Sequence, residues 1–185
     1  MIKNYSEYKE FRQKETKSGR NILKQLLFTE PIDLFLKRLR RVEWHYNSSG
    51  IIHKIMFVFA YRRFRIISLK LGFSIPKNTC DSGLSIPHYG SIVINANCKI
   101  GKNCRIHNNV NIGASGGSSK APKIGNNVYI GPGAAIFGDI EIADNCYIGA
   151  NAVVNKSFIE PYSIIAGVPA KVVKLEAKSW NQKFN

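Results

Sequence analysis

Every sixth residue from Ile94 to Val154 is aliphatic, with one interruption. The series runs Ile94, Ile100, Ile106 and Ile112, then Ile124, Ile130, Ile136, Ile142, Ile148 and Val154. Four residues after nine of them stands another small or apolar side chain: Cys98, Cys104, Val110, Val128, Ala134, Ile140, Cys146, Ala152 and Phe158. Glycine directly follows Ile100, Ile112, Ile124, Ile130 and Ile148. A period of six matches neither the 3.6 of a helix nor the alternation of two in a strand. It matches a parallel β-helix built from hexapeptide rungs, which bury their aliphatic row only by stacking. Three rungs make one triangular coil, so residues 18 apart stack at about 4.8 Å, the spacing of a strand ladder.

The interruption, between Ile112 and Ile124, centres on Ser115-Gly116-Gly117-Ser118-Ser119-Lys120. A Gly/Ser loop ejected from a regular solenoid costs little core burial and is a usual seat of function. The segment Ala166-Gly167-Val168-Pro169-Ala170-Lys171-Val172-Val173-Lys174 breaks the period and is expected to cap the prism. Residues 175–185 read as a loose or helical tail.

Upstream, residues 1–72 read as helical. Ser18 to Phe28 and Pro31 to Arg41 carry apolar residues at helical spacing, with Pro31 well placed at a helix start. Ser48-Ser49-Gly50 punctuates. From Ile51 to Leu71, Ile52, Ile55, Met56, Phe59, Ile66 and Leu69 form one apolar face, expected to pack on a neighbour rather than on a membrane. Gly72 and Pro76 mark a boundary. The fold expected is mainly β: a parallel β-helix over residues 73–165, a helical region at 1–72, and a cap and tail at 166–185.

The net charge is +15, unevenly placed. Residues 1–72 hold 16 Lys/Arg against 6 Asp/Glu, a net of +10, and residues 73–185 hold 11 against 6, a net of +5. A basic front end favours an anionic partner, such as phosphate, an anionic glycan or a membrane surface; a plain solvated face reads equally well. No nucleic-acid-binding motif accompanies the charge, so nucleic acid is not expected as a partner. The start leads into charged sequence, and no apolar run reaches membrane-spanning length, so a cytoplasmic location is expected, with a membrane-peripheral one as its variant. Cys98, Cys104 and Cys146 fall on inward positions and Cys80 is unassigned; no CxxC occurs. Reduced, buried thiols are expected.

Together the repeats, loop and cap resemble the hexapeptide-repeat acyltransferases, in particular the serine acetyltransferases and the sugar O-acetyltransferases of polysaccharide gene clusters. The resemblance rests on Gly83-Leu84-Ser85-Ile86-Pro87-His88-Tyr89-Gly90-Ser91-Ile92-Val93-Ile94, Val110-Asn111-Ile112-Gly113, Pro122-Lys123-Ile124-Gly125 and Ala166-Gly167-Val168-Pro169-Ala170-Lys171. It implies a left-handed winding and acetyl-coenzyme A as acyl donor, with no metal required. It also implies a homotrimer, or a pair of trimers, whose neighbouring subunits enclose the coenzyme. His88 matches the family's catalytic histidine. An imidazole titrating near neutrality suits removal of a hydroxyl proton during attack on a thioester. Rung counting places Ile86, Ile106, Ile130 and Ile148 on one face, and two residues on gives a lane of His88, Asn108, Pro132 and Ala150. Pro132 and Ala150 match small residues that flank the pantetheine arm in the family; Gly113 and Lys171 are the further coenzyme-site candidates. His107, one rung from Pro87, together with Asn108 and Lys120, are candidates for holding the acceptor or a phosphate, although an exposed rung residue and a solvated loop lysine explain His107 and Lys120 as well. His45 and His53 read as structural.

The chain departs from the serine acetyltransferase pattern at three places. Phe73 stands where those enzymes pair an aspartate with the histidine, Pro87 where an aspartate precedes it, and Ala121 where they carry a loop histidine. Asp81 or a backbone carbonyl are the candidates for orienting His88 instead. The leading expectation is therefore O-acetylation of a sugar hydroxyl in capsular polysaccharide or lipopolysaccharide synthesis. The alternatives are serine O-acetylation in cysteine biosynthesis and a non-catalytic structural β-solenoid. A zinc prism enzyme needs three converging histidines, and residues 73–185 contain only His88 and His107.

Overall fold

In the computed structural model, which describes residues 1–15, 30–175 and 180, short parallel strands wind into a left-handed, three-sided β-helix from Phe73 onward. The strands are β1 (Phe73–Ser74), β2 (Ile92–Ile94), β3 (Lys99–Ile100), β4 (Arg105–Ile106), β5 (Val110–Gly113) and β6 (Lys123–Ile124). They continue as β7 (Tyr129–Ile130), β8 (Ala135–Phe137), β9 (Glu141–Ile142), β10 (Tyr147–Ile148), β11 (Val153–Val154), β12 (Ile164–Gly167) and β13 (Ala170–Lys174). One face orders as β1-β2-β5-β8-β11, a second as β4-β7-β10-β12-β13 and a third as β3-β6-β9. Ile106 pairs with Ile130, Ile130 with Ile148 and Ile148 with Ile165. No residue of the period-six series is more than 4 % exposed, so the repeat is the inward row. The four cysteines are buried and form no disulfide. Burial pushes the Cys98 thiol up to about 11 and the Cys104 thiol up to about 12, which leaves both protonated at neutral pH.

The corners explain two sequence habits. Asn103, Asn109, Asn127, Asn145 and Asn151 all turn with φ between 55° and 61°, a left-handed conformation that asparagine tolerates best among residues with a side chain. Three of them form a ladder: Asn103 Nδ2 donates to Asn127 Oδ1 (3.2 Å) and Asn127 Nδ2 to Asn145 Oδ1 (3.1 Å). The glycine after an inward isoleucine answers a different need. A Cβ on Gly131 would lie 2.8 Å from Ala150 N and 2.9 Å from Ile148 O, backbone atoms of the next coil. Only hydrogen fits there.

The Ser115–Lys120 loop leaves the prism between β5 and β6, and Asn97 Nδ2 holds it by donating to Ser119 O (2.7 Å). At the far end β13 turns back antiparallel on β12 through the cis peptide Val168–Pro169. Residues 171–175 there are exposed.

The chain divides into two compact units, Met1–Gly72 and Phe73–Asn185. The first contains α1 (Tyr5–Glu15), α2 (Pro31–Asn47) and α3 (Ile51–Leu71). Pro31 starts α2, and α3 ends at Gly72, whose φ of 73° makes the left-handed cap a side chain would resist. The expected helix at Ser18–Phe28 and most of the expected tail lie outside the described residues. Phe35, Leu36, Leu39 and Val42 of α2 are buried, as are Ala60, Phe64 and Ile67 of α3; Phe35 meets Phe64 at 5.4 Å. Among them lies a buried charge cluster. Arg40 donates through Nε (2.8 Å) and Nη2 (2.6 Å) to Glu15 Oε1, and through Nη1 to Glu43 Oε2 (2.8 Å). Burial opposes the Arg40 charge, but Glu43 and Glu15 outweigh it and hold the guanidinium charged.

The structure corrects one expectation here. The stripe read as the packing face of α3 is the exposed one: Ile52, Ile55, Met56, Phe59, Ile66 and Leu69 are all open to solvent. Apolar residues occur on every side of the helix, with cations among them, so periodicity does not single out the face that α2 selects. No described helix is long and apolar enough to cross a membrane.

Candidate active site

His88 stands just past the β4 face of the first coil, where the chain turns from the bridge of Ser85 to Arg105 toward β2. Its side chain is exposed. The bridge sets Ser85 opposite Arg105, and two extra residues are taken up before Gly90, which stands against Asn108, and Ile92, which pairs with Val110; His88 lies in that turn. The lane continues in hydrogen-bonded steps, since Gly133 N donates to Asn108 O (3.0 Å) and Asn151 N to Pro132 O (2.9 Å). Asn108, Pro132 and Ala150 thus stack coil by coil next to His107, whose ring meets that of His88. Pro132 and Ala150 are short side chains at successive corners and leave that flank of the prism open.

His107 approaches His88. Its ring centroid lies 5.6 Å from that of His88 and 4.9 Å from that of Tyr129, which stacks in turn on Tyr147 at 5.4 Å. Arg105 Nε donates to His107 Nε2 (3.4 Å), so that nitrogen is the acceptor and a proton on the neutral ring belongs on Nδ1. Burial, then Arg105, then His88 hold the His107 pKa below the ordinary imidazole value, which favours its neutral form. Arg105 is itself flanked by the Trp180 ring (5.5 Å), and Trp180 Nε1 donates to Asn103 O (3.1 Å). Sequence reasoning identified the closeness of His107 from rung counting, but not Arg105, Tyr129, Tyr147 or Trp180. The tyrosines carry a signal in hindsight, since 129 and 147 are 18 apart; Trp180 carries none.

The remaining candidates are placed elsewhere. Asp81 does not reach toward His88 as an orienting group: its carboxylate accepts from Ser82 N (2.6 Å) on the β3 face. Among the described residues no hydrogen bond is made to the His88 ring. Gly113 ends β5, opposite Phe137 on a different face from the one His88 follows. Lys171 is exposed on β13, opposite Ala166. Lys120 Nζ pairs with Asp139 Oδ2 at 2.7 Å, both side chains being exposed, a contact of small energetic weight. Among the described residues no group of three His, Cys, Asp or Glu side chains is placed to hold a metal ion.

Residues 121–156 match the family described as bacterial transferase hexapeptide (six repeats). No curated protein is a significant match to the chain by sequence. Several solved structures share its fold. Serine acetyltransferase from Brucella abortus strain S19 is 22 % identical and superposes with a TM-score of 0.74, covering 92 % of this chain and 70 % of that one. Serine acetyltransferase from Neisseria gonorrhoeae is 24 % identical with a TM-score of 0.71, covering 97 % and 70 %. The soybean apoenzyme is 24 % identical with a TM-score of 0.69, covering 91 % and 68 %. Residues 121–156 thus carry the transferase hexapeptide repeat, and the fold of the chain is the one seen in these serine acetyltransferases.

Proposed function

We propose that the protein is an acetyl-coenzyme A-dependent O-acetyltransferase in which His88 is the general base. The observation that carries this reading is an exposed imidazole beside His107 and the lane of Asn108, Pro132 and Ala150, on a prism of this fold. In the reaction His88 takes the acceptor hydroxyl proton as the oxygen attacks the thioester carbonyl. The C–S bond then breaks, and the imidazolium returns the proton to the departing thiolate. Backbone amides would stabilise the oxyanion, and neutral His107, steadied by Arg105 and Tyr129, restricts the His88 ring without setting a second cation beside it. Pro132 and Ala150 flank the pantetheine arm, with Lys171 and Gly113 as outlying contacts. The reading includes a homotrimer or a pair of trimers, in which a neighbour closes the cleft, and a cytoplasmic location.

For the acceptor, the comparisons favour serine over the sugar hydroxyl that the sequence put first. The solved structures of the same fold are serine acetyltransferases, one of them the soybean enzyme complexed with serine. Their likeness covers 91–97 % of this chain. Sugar O-acetylation is the second reading, favoured by one specific observation. Phe73 and Ala121 are buried, at 3 % and 7 % exposure, and with Pro87 they offer no side-chain partner for an ammonium or carboxylate group.

Thiol release from acetyl-coenzyme A, measured against L-serine and against capsule-type oligosaccharides, separates the two. A kcat/KM for serine of about 10⁴ M⁻¹s⁻¹ or more with silent sugars supports serine; the reverse supports the sugar. Silence with every acceptor removes the transferase reading. His88→Ala is expected to lower turnover roughly 10²–10⁴-fold with coenzyme binding nearly unchanged, the usual contribution of a general base. Turnover within a few-fold of the parent would move the base elsewhere, with His107 next in line.

A further inference from the structure

The outer face of α3 is an apolar surface that the proposed reaction leaves unused. Ile51, Ile52, Ile55, Val58, Phe59 and Leu69 are each more than half exposed, with Ile52 at 72 % and Leu69 at 70 %. Isolated apolar side chains on a surface need no explanation, but a continuous row along one helix does. The same helix carries Lys54, Arg62, Arg63, Arg65 and Lys70 and not one acidic residue. Between α2 and α3 the row deepens into a groove of about 220 Å³ floored by Leu34, Met56 and Phe59. Its rim is cationic: Lys37, Arg38, Arg41 and Arg63. Arg38 is fixed in place by donating to Arg63 O (2.7 Å).

Apolar side chains interleaved with unopposed cations on an exposed helix are the chemistry of an interfacial helix. Its apolar side chains enter the acyl boundary while its arginines meet phosphates. We infer that the α2–α3 face docks on the surface of an anionic lipid bilayer. The charge pattern argues for this occupant over a second copy of the chain. Two α3 helices laid face to face would set Arg62, Arg63 and Arg65 against like charges with no carboxylate on α3 to relieve them. A phosphate-rich surface supplies the missing sign. The inference is independent of the acetyl-transfer reading and survives its failure.

The test is co-sedimentation of the full chain with vesicles of phosphatidylcholine alone and of phosphatidylcholine mixed with phosphatidylglycerol. Binding is expected only to the mixed vesicles at low ionic strength, and added salt should release it. The combined variant Arg62→Glu, Arg63→Glu and Arg65→Glu should bind roughly 100-fold more weakly or less, since each basic residue near such a surface contributes about fivefold. Phe59→Ser with Leu69→Ser should also weaken binding while keeping its salt dependence. Helical circular dichroism equal to the parent's shows that each variant is folded, and the two variants fail independently. Equal binding to both vesicles, or to neither, overturns the inference. So does a smaller assembly mass for the Ser variant with vesicle binding unchanged, which would give the face to a second copy.

Discussion

The two units solve the problem of burying a core in opposite ways. The prism repeats one solution: an inward aliphatic, an asparagine corner and, where coils touch, a glycine. Its buried side chains are almost wholly apolar, and each rung is justified by the one below it. The helical unit repeats nothing. It places a fully buried arginine among its apolar residues, balances that with two glutamates, and leaves a row of isoleucine, phenylalanine and leucine outside. The comparison teaches that repetition writes the core into the sequence, whereas a helix pair selects its face only when the partner arrives.

That contrast is open to attack at three strengths. Arg40→Ala strikes the helical unit hardest. It removes the cation that bridges the buried Glu15 and Glu43, leaving Glu15 the more distant Arg12 at 3.8 Å; breaking a buried pair in this way typically costs about 3–5 kcal/mol. Chemical denaturation followed by helical circular dichroism should show it. A loss under about 1 kcal/mol would mean the cluster is solvated in solution. The prism answer is steric. Gly131→Ala drives a methyl into the backbone of the next coil, and overpacking of that kind costs about 1–3 kcal/mol. Unchanged stability there would show that neighbouring coils give way, and that the Ile-Gly habit reflects something other than contact.

The smallest effect is one of pH. His45 and His53 face each other Nδ1 to Nδ1 at 3.1 Å, a pair with room for one shared proton. Burial first, then His53 and Arg41, hold the His45 pKa below its ordinary value. The folded unit therefore binds this proton less readily than the unfolded chain. The stability so conferred is present above about pH 6.5, the unfolded value. It is lost as pH falls through the folded one, at no more than about 1.4 kcal/mol per pH unit. His45→Gln should flatten that slope, and an unaltered slope would place the sensitive group elsewhere.

The same contrast governs what could be read before the structure. The three-sided coil, the inward row, the ejected loop and the closeness of His107 to His88 were legible, because stacking at a fixed period turns distance along the chain into distance in space; the left-handed sense came from the family resemblance alone. The α3 face was not. Ile51 to Leu71 is apolar on most sides, and burial of Phe64 and Ile67 rather than Phe59 and Leu69 depends on Phe35 and its neighbours on α2. The surroundings of His107 were half legible. Tyr129 and Tyr147 obey the period, while Trp180 reaches Asn103 across 77 residues with no periodic cue. Asp81, the nearest carboxylate in sequence, turned out to be occupied with its own turn.

A stack of identical rungs has no natural length. Each parallel strand offers the next one the same row of amide and carbonyl groups, and a second molecule could dock on the last rung as readily as the chain's own continuation. Here the end of the stack is reversed: β13 runs back along β12 and presents Lys171 and Lys174 at the outer edge. An antiparallel, charged edge is a poor template for a parallel coil. The hairpin is thus a terminator that keeps the prism a discrete particle rather than a growing fibre.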